Sequence, residues 1–85
     1  MREYLNRAEL FRVLNERFHA ELEIDPEHYS IGGRIIQYQE PDEDGCNWDI
    51  SFLGVEGHGR EVTPEVGAIA YRTAEQVARE FNFAE

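Results

Sequence analysis

The stretch IIQYQEPDEDGCNWDISF, residues 35–52, decides the fold of this chain. Apolar and β-branched residues stand near both of its ends, while its centre, 40–45, holds the proline, aspartate and glycine residues that reverse a chain. A strand over 35–39, a loop and a second strand are typical of this pattern. The stretch therefore predicts an antiparallel β-hairpin.

Side-chain alternation along the two strands predicts one apolar and one polar face. The apolar face is predicted to contain Ile36, Tyr38, Trp48, Ile50 and Phe52. The polar face is predicted to contain Gln37, Gln39, Asn47, Asp49 and Ser51. We expect the apolar face to join the core and the polar face to contact water or a partner.

An amphipathic helix is predicted before the hairpin, over about residues 2–23. Its apolar residues recur at helical spacing: Tyr4, Ala8, Phe11, Leu14, Phe18 and Leu22. Asp25-Pro26 ends it, because proline disfavours helical angles in the residue before it. Asn15 lies on the apolar side, and we expect its amide to bond a neighbouring backbone group, since most buried polar side chains do so. The alternative is that Asn15 specifies a helix pairing.

A second helix is predicted to start at Thr63-Pro64-Glu65 and to run to about residue 82. The threonine can accept an orphan amide, the proline needs no donor in the first turn, and the glutamate favours the positive end of the helix dipole. Its apolar side consists of Val66, Ile69, Ala70, Thr73, Ala74, Val77 and Phe81. A strand over 66–71 followed by a short helix capped at Thr73 remains the alternative.

Glycines flank the hairpin on both sides. Gly32-Gly33 marks a flexible entry to the first strand, and the glycines of 54–59 mark a connection after the second. The segment 60–62 is predicted to add a short third strand. Such a strand would support a hairpin that is marginal by itself in water, and pairing across a homodimer would do the same.

These elements predict a single α+β domain over residues 1–85. The order is α-β-β-(β)-α, and the architecture is a two-layer sandwich in which two helices cover one face of an antiparallel hairpin sheet. Two apolar helix faces and one apolar sheet face provide one core.

Charge limits the partners of this domain. The 85 residues include 18 acidic and 8 basic side chains, which gives a net charge of −10. This charge repels phosphate backbones and anionic lipid, so we expect neither nucleic acid nor a membrane as a partner. The sequence shows no apolar run typical of a membrane span or a secretory signal, and we expect a cytoplasmic location.

Motifs for metal, phosphate and nucleophile chemistry are incomplete. The acidic turn from Glu40 begins like a calcium loop, but Ser51 stands at the twelfth position, where a bidentate glutamate belongs. The glycines of 54–59 lack the dinucleotide and P-loop spacings. Cys46 has no partner for a disulfide, and the three histidines give no zinc spacing with it. We predict no metal, no cofactor and no catalytic residue.

Two classes of function are consistent with these features. The first is a non-enzymatic protein-interaction or regulatory domain whose partner has a basic surface, because acidic patches steer such encounters. A narrower form of it is an inhibitor that imitates nucleic acid and blocks a DNA- or RNA-binding protein. The second class is a small enzyme or ligand-binding domain with a site at a subunit boundary.

Each class has its own candidate residues. The predicted partner-binding residues are apolar residues beside the main stripe of the first helix and polar residues of the hairpin: Leu10, Val13, Gln37, Gln39, Asp42, Glu43, Asp44 and Asp49. Tyr71 lies off the stripe of the last helix and belongs to the same interpretation. The alternative ligand site consists of Gly57, His58 and Gly59.

Overall fold

A computed structural model describes residues 2–23 and 25–85. Its elements are strand β1 (Glu3–Leu5), helix α1 (Arg7–Glu21), a 3-10 turn (Pro26–His28), strands β2 (Tyr29–Gln37) and β3 (Trp48–Gly57), helix α2 (Pro64–Glu80) and strand β4 (Phe81–Phe83). β2 and β3 form an antiparallel pair, and β1 and β4 form a parallel pair. The predicted α+β fold and its hairpin are confirmed. Within the described residues, no helix is long and apolar enough to cross a bilayer.

The pairing of β1 with β4 corrects both predicted helices. Residues 3–5 are a strand, and α1 starts only after Asn6, whose side chain accepts from the Glu9 amide while the Glu9 carboxylate accepts from the Asn6 amide. α2 begins after Thr63 as predicted, so the alternative strand over 66–71 is wrong. It ends at Glu80, because residues 81–83 extend to pair with β1.

The core lies between the helices and one face of the hairpin. The predicted apolar side of α2 is buried or half-buried throughout, as expected. The expectation that Leu10 lies outside the apolar stripe of α1 is wrong, because Leu10 is 0% exposed. It belongs to the same core cluster as Leu5, Trp48 and Phe83, so the β1–β4 pair and the loop end of the hairpin widen the buried side of α1.

The prediction of which β2 residues face the core is wrong by one position. Ile35 is 6% exposed and pairs with Ile50, whereas Ile36 is 45% exposed and pairs with Asp49. Because Ile35 and Ile36 are adjacent, an isoleucine could face the core in either of two strand registers. The burial of Trp48 on β3 selects the register in which Ile35 points inward.

A β-bulge overturns the prediction that Phe52 joins the core. Gly32 pairs with Gly54 and Arg34 with Ser51, which leaves Phe52 and Leu53 together opposite Gly33. Phe52 has a left-handed φ of 56° and is 85% exposed. The extra residue reverses the alternation, and Leu53 takes the inward position.

The predicted third strand at 60–62 is also wrong. β3 itself continues to Gly57, so the glycines 54 and 57 belong to a strand and not to a connection. The chain then reverses so tightly that a Cβ at Gly57 would collide with the Arg60 carbonyl oxygen. The next carbonyl, of Glu61, accepts from the Tyr29 hydroxyl at 2.9 Å. Its partner is therefore a side chain and not the backbone amide of a neighbouring strand.

Asn15 bonds the backbone of β2, as predicted. Its Oδ1 accepts from the Ile31 amide at 2.8 Å, and its Nδ2 donates to the Ile31 carbonyl at 3.3 Å and to the Phe11 carbonyl at 2.9 Å. The side-chain amide therefore takes the place of a neighbouring strand at this edge and holds α1 against the hairpin.

The adjacent glycines of β2 provide a matched test of the bulge. A Cβ at Gly33, whose φ is 157°, would lie 2.9 Å from Ile50 Cγ1 and 3.1 Å from the Ser51 carbonyl oxygen, whereas a Cβ at Gly32 meets nothing within 4 Å. We expect Gly33→Ala to lower the free energy of unfolding by about 1–3 kcal/mol. Gly32→Ala should leave it unchanged or raise it by about 0.5 kcal/mol. Urea unfolding measures both, and equal midpoints would contradict this register.

Candidate functional site

An apolar groove lies between β3 and α2. Its volume is about 240 Å³. Its apolar walls consist of Trp48, Ile50, Leu53, Tyr71, Ala74 and Ala78. The two alanines stand one helical turn apart and leave space that larger residues would fill, while the bulge turns Leu53 inward to form part of the floor. The rim carries two carboxylates, from Asp49 and Glu75.

The groove continues into an acidic basin at the hairpin loop. This second cavity, about 210 Å³, shares Trp48, Asp49, Glu75 and Ala78 with the groove. Asp42 and Asp44 add two carboxylates to its lining, and Arg2 and Arg79 add two guanidinium groups. Apolar and acidic surface are therefore continuous from α2 to the end of the hairpin.

The carboxylates of this basin remain available. Within residues 2–23 and 25–85, no ion pair involves an acid of the hairpin. The Arg2 guanidinium bonds neutral acceptors instead, namely the carbonyl oxygens of Ala78 at 2.7 Å and Asp44 at 3.2 Å. A cation brought by a partner would meet carboxylates that are not already in an ion pair, although Asp42 and Asp49 accept backbone amides.

The hairpin loop is organised by its own backbone. Asp42 Oδ1 accepts from the amides of Asp44 and Cys46 at 2.9 and 3.0 Å. The Gly45 amide donates to the Asp42 carbonyl, and Gly45 has a positive φ of 84° that a side chain would strain. The Asp42 carboxylate therefore organises the loop as a turn through the loop's own amides.

Tyr38 lies in the basin beside these acids. Its burial raises the pKa of the phenol, and the negative charges of Asp49 and Asp42 raise that pKa further. Asp49 also accepts from the Ile50 amide at 2.8 Å. Burial disfavours a charge of either sign, so only the contributions of Asp49 and Asp42 reflect the negative charge of the basin.

The structure gathers part of the predicted partner surface. Asp42, Asp44 and Asp49 line the basin together. Glu43, Gln37 and Gln39 are exposed and contribute to neither cavity lining. Leu10 is inside the core, and Val13 is half-buried against it, so neither offers an open apolar surface.

Glu75, Tyr71 and the alanine pair complete the site. Tyr71, off the apolar stripe as the sequence indicated, is 61% exposed at the groove. The sequence did not identify Ala74 and Ala78 as groove residues, because small residues on a helix face usually indicate close packing. Their spacing of four places both alanines on one face of α2, but this spacing alone does not distinguish a groove from close helix packing.

The glycine connection lies at the other end of the hairpin. His58 is exposed, and its Nε2 lies 3.1 Å from Ser30 Oγ. Cys46 is buried beyond the opposite end of β3, where its thiol donates to the Trp48 carbonyl at 3.2 Å. Strand β3 spans about 30 Å at its usual rise per residue, so the two side chains do not form a nucleophile pair.

One cluster near that end has metal-ligand atoms. The ligand atoms of Asp25, Glu27 and His28 lie within 4.8 Å of one another. Arg60 already pairs with the Asp25 carboxylate at 3.1 Å, which neutralises the charge that a cation would need. Gly57, His58 and Gly59 add no carboxylate or thiolate to this cluster.

Comparison with known proteins returned no match to this chain, whether to a protein-family model, a curated protein or a solved structure.

The titration of Tyr38 tests the charge of the basin. We expect Asp49→Asn to lower the pKa of Tyr38 toward its ordinary value, because one of the negative charges that oppose the phenolate is removed. Glu56→Gln, on the same strand but outside the basin, should leave that pKa unchanged. The ring carbon shifts of Tyr38, followed by NMR as the pH rises, measure both variants, and an unaltered pKa in Asp49→Asn would contradict this geometry.

Proposed function

We propose that this chain is a non-enzymatic protein-interaction domain whose partner presents basic residues. The observation that carries the proposal is the continuity of the apolar groove with the acidic basin. Apolar surface supplies binding free energy when it leaves water, while charges at its rim set specificity and the rate of encounter. A basic side chain would reach Asp49 and Glu75 without displacing an existing ion pair.

The positions of the acidic segments favour a protein partner over imitation of nucleic acid. One segment, 21–27, precedes β2, and the other, 40–49, follows it. The length of β2 separates them by about 25 Å, so these two acidic segments do not adjoin each other. Phosphates along a nucleic acid would require an unbroken line of charge.

The enzyme alternative receives less support. Its candidate residues, Gly57, His58 and Gly59, lie at the end of β3 away from both cavities described above. Among residues 2–23 and 25–85, Ser30 is the side chain within hydrogen-bond distance of the His58 ring, and its hydroxyl is not an orienting carboxylate. A cytoplasmic location belongs to the same proposal as the interaction domain, since Cys46 is a free thiol of the kind that a reducing compartment preserves.

A synthetic peptide that alternates arginine with valine is the probe. We expect it to bind the chain in fluorescence anisotropy, with an affinity that falls as salt rises, because screening weakens the attraction of the rim charges. The same peptide with glutamate in place of arginine should not bind. Equal binding of the two peptides, or no binding of the arginine peptide, would refute the proposal.

Paired charge variants locate the binding surface. Asp49→Asn combined with Glu75→Gln should weaken binding about fivefold, because each exposed ion pair contributes about 0.2–1 kcal/mol. Glu23→Gln combined with Glu61→Gln removes the same charge at the opposite end of the molecule and should change the affinity less than about twofold. Equal losses in the two double variants would mean that net charge, and not the groove, holds the peptide.

A further inference from the structure

The outer edge of β3 is open beside the groove. Hydrogen-bonded and non-hydrogen-bonded pairs alternate along antiparallel strands. The Tyr38 amide donates to the Asn47 carbonyl at 2.7 Å, so the pair Ile35–Ile50, three positions further along, is non-hydrogen-bonded. The backbone N–H and C=O of Ile50 therefore point away from β2, toward the free side of β3.

Asp49 covers this edge with its own side chain. The Ile50 amide donates to Asp49 Oδ1 at 2.8 Å, and within the described residues no other element bonds that amide. On the other strands, side chains from distant elements bond the edge: Asn15 bonds the backbone of Ile31 on β2, and Asn47 bonds the backbone of Phe83 on β4. A carboxylate from the neighbouring residue is easier to displace than an amide that also anchors another element.

The groove has the dimensions of a strand segment. The helical stretch from Tyr71 to Ala78, which forms one wall, is about 10 Å long. That length matches about three residues of extended chain. Ile50 contributes its side chain to the groove and its backbone to the edge, so a strand added at this edge would direct every second side chain into the groove.

We propose that the partner binds by strand addition: an extended segment of another protein pairs with the edge of β3 at Ile50. Its apolar side chains enter the groove, and a carbonyl oxygen replaces Asp49 as acceptor for the Ile50 amide. The alternate side chains are basic, and they meet the released Asp49 carboxylate on the outer face of the sheet. Main-chain hydrogen bonds provide affinity in this mode, and the alternate side chains provide specificity. This inference rests on the proposed function and assigns its geometry.

Charge favours a basic segment over a second copy of the chain. Two copies paired through this edge would bring together Asp49 and Glu75 from both, on molecules that each carry a net charge of −10. Like charges across an interface oppose association. The bulge at Phe52 confines regular pairing to the part of β3 that precedes it, which is the part beside the groove.

Methylation of peptide amides tests the pairing directly. Two derivatives of the arginine–valine peptide are compared, one with every valine amide methylated and one with every arginine amide methylated. The amides that face β3 all belong to one residue class, the valines in an antiparallel complex and the arginines in a parallel one. We expect one derivative to lose about tenfold or more in affinity while the other binds like the parent.

The outcomes separate this inference from the proposed function. Equal affinities of the two methylated peptides, with the parent still bound, would overturn strand addition and leave a basic partner in place. Absence of binding by the parent would overturn both. A dimer of the chain that the parent peptide dissociates, seen by sedimentation, would assign the edge to a second copy and overturn the partner proposed here.

A matched pair of alanine variants tests the groove. Ala78→Leu fills it from the α2 side and should weaken binding of the parent peptide about tenfold, because the apolar side chains lose their space. Ala68→Leu makes the same change on the exposed side of α2 and should leave binding unchanged. Circular dichroism verifies that both variants are folded, and equal affinities of the two would overturn the groove as the binding surface.

Discussion

The hairpin depends on two side chains where the loop meets the start of β3. The Trp48 indole donates to the Phe81 carbonyl at 2.8 Å, and the Asn47 amide both donates to and accepts from the backbone of Phe83, at 2.9 and 2.8 Å. A two-stranded hairpin is marginal by itself in water. These bonds join it to β4, and β4 pairs with β1. The middle of the chain and the segments near its two ends therefore share one anchor, and the core closes around Trp48.

The same anchor determines which edges of the sheets stay open. Asn47 and Trp48 occupy the side of β4 that β1 leaves free, and Asn15 occupies part of the free side of β2. Asparagine suits this role because its amide offers a donor and an acceptor side by side, as a strand backbone does. Asn47 and Trp48 anchor the loop end of the hairpin, and at the outer edge of β3 the Ile50 amide donates to the Asp49 carboxylate.

The sequence predicted the elements that local chemistry determines and missed those that depend on distant partners. The hairpin and the start of α2 follow from turn and cap residues. The prediction for Phe52 was wrong because Phe52 continues the alternation of Trp48 and Ile50, which places it on the core face. Only the pairing of β3 with β2 reveals the bulge. Leu10 misled the prediction because its neighbours, the three-residue strands β1 and β4, are too short to show a period. At the site, the acids near Asp49 were visible as a charged segment, whereas the groove arises where two elements meet and has no local signal.

The acidic residues at the rim of the groove limit which chains can pair with the open edge of β3. An unpaired strand beside an apolar groove is a template for association with any extended chain, including another copy. The carboxylates of Asp49 and Glu75 stand where such a chain would lie. They repel another copy of this acidic protein and any acidic segment, and they attract a basic one. In the proposed mode of binding, this one arrangement of charge would both limit self-association and select the partner, so specificity at this edge would arise from the excluded chains as much as from the accepted one.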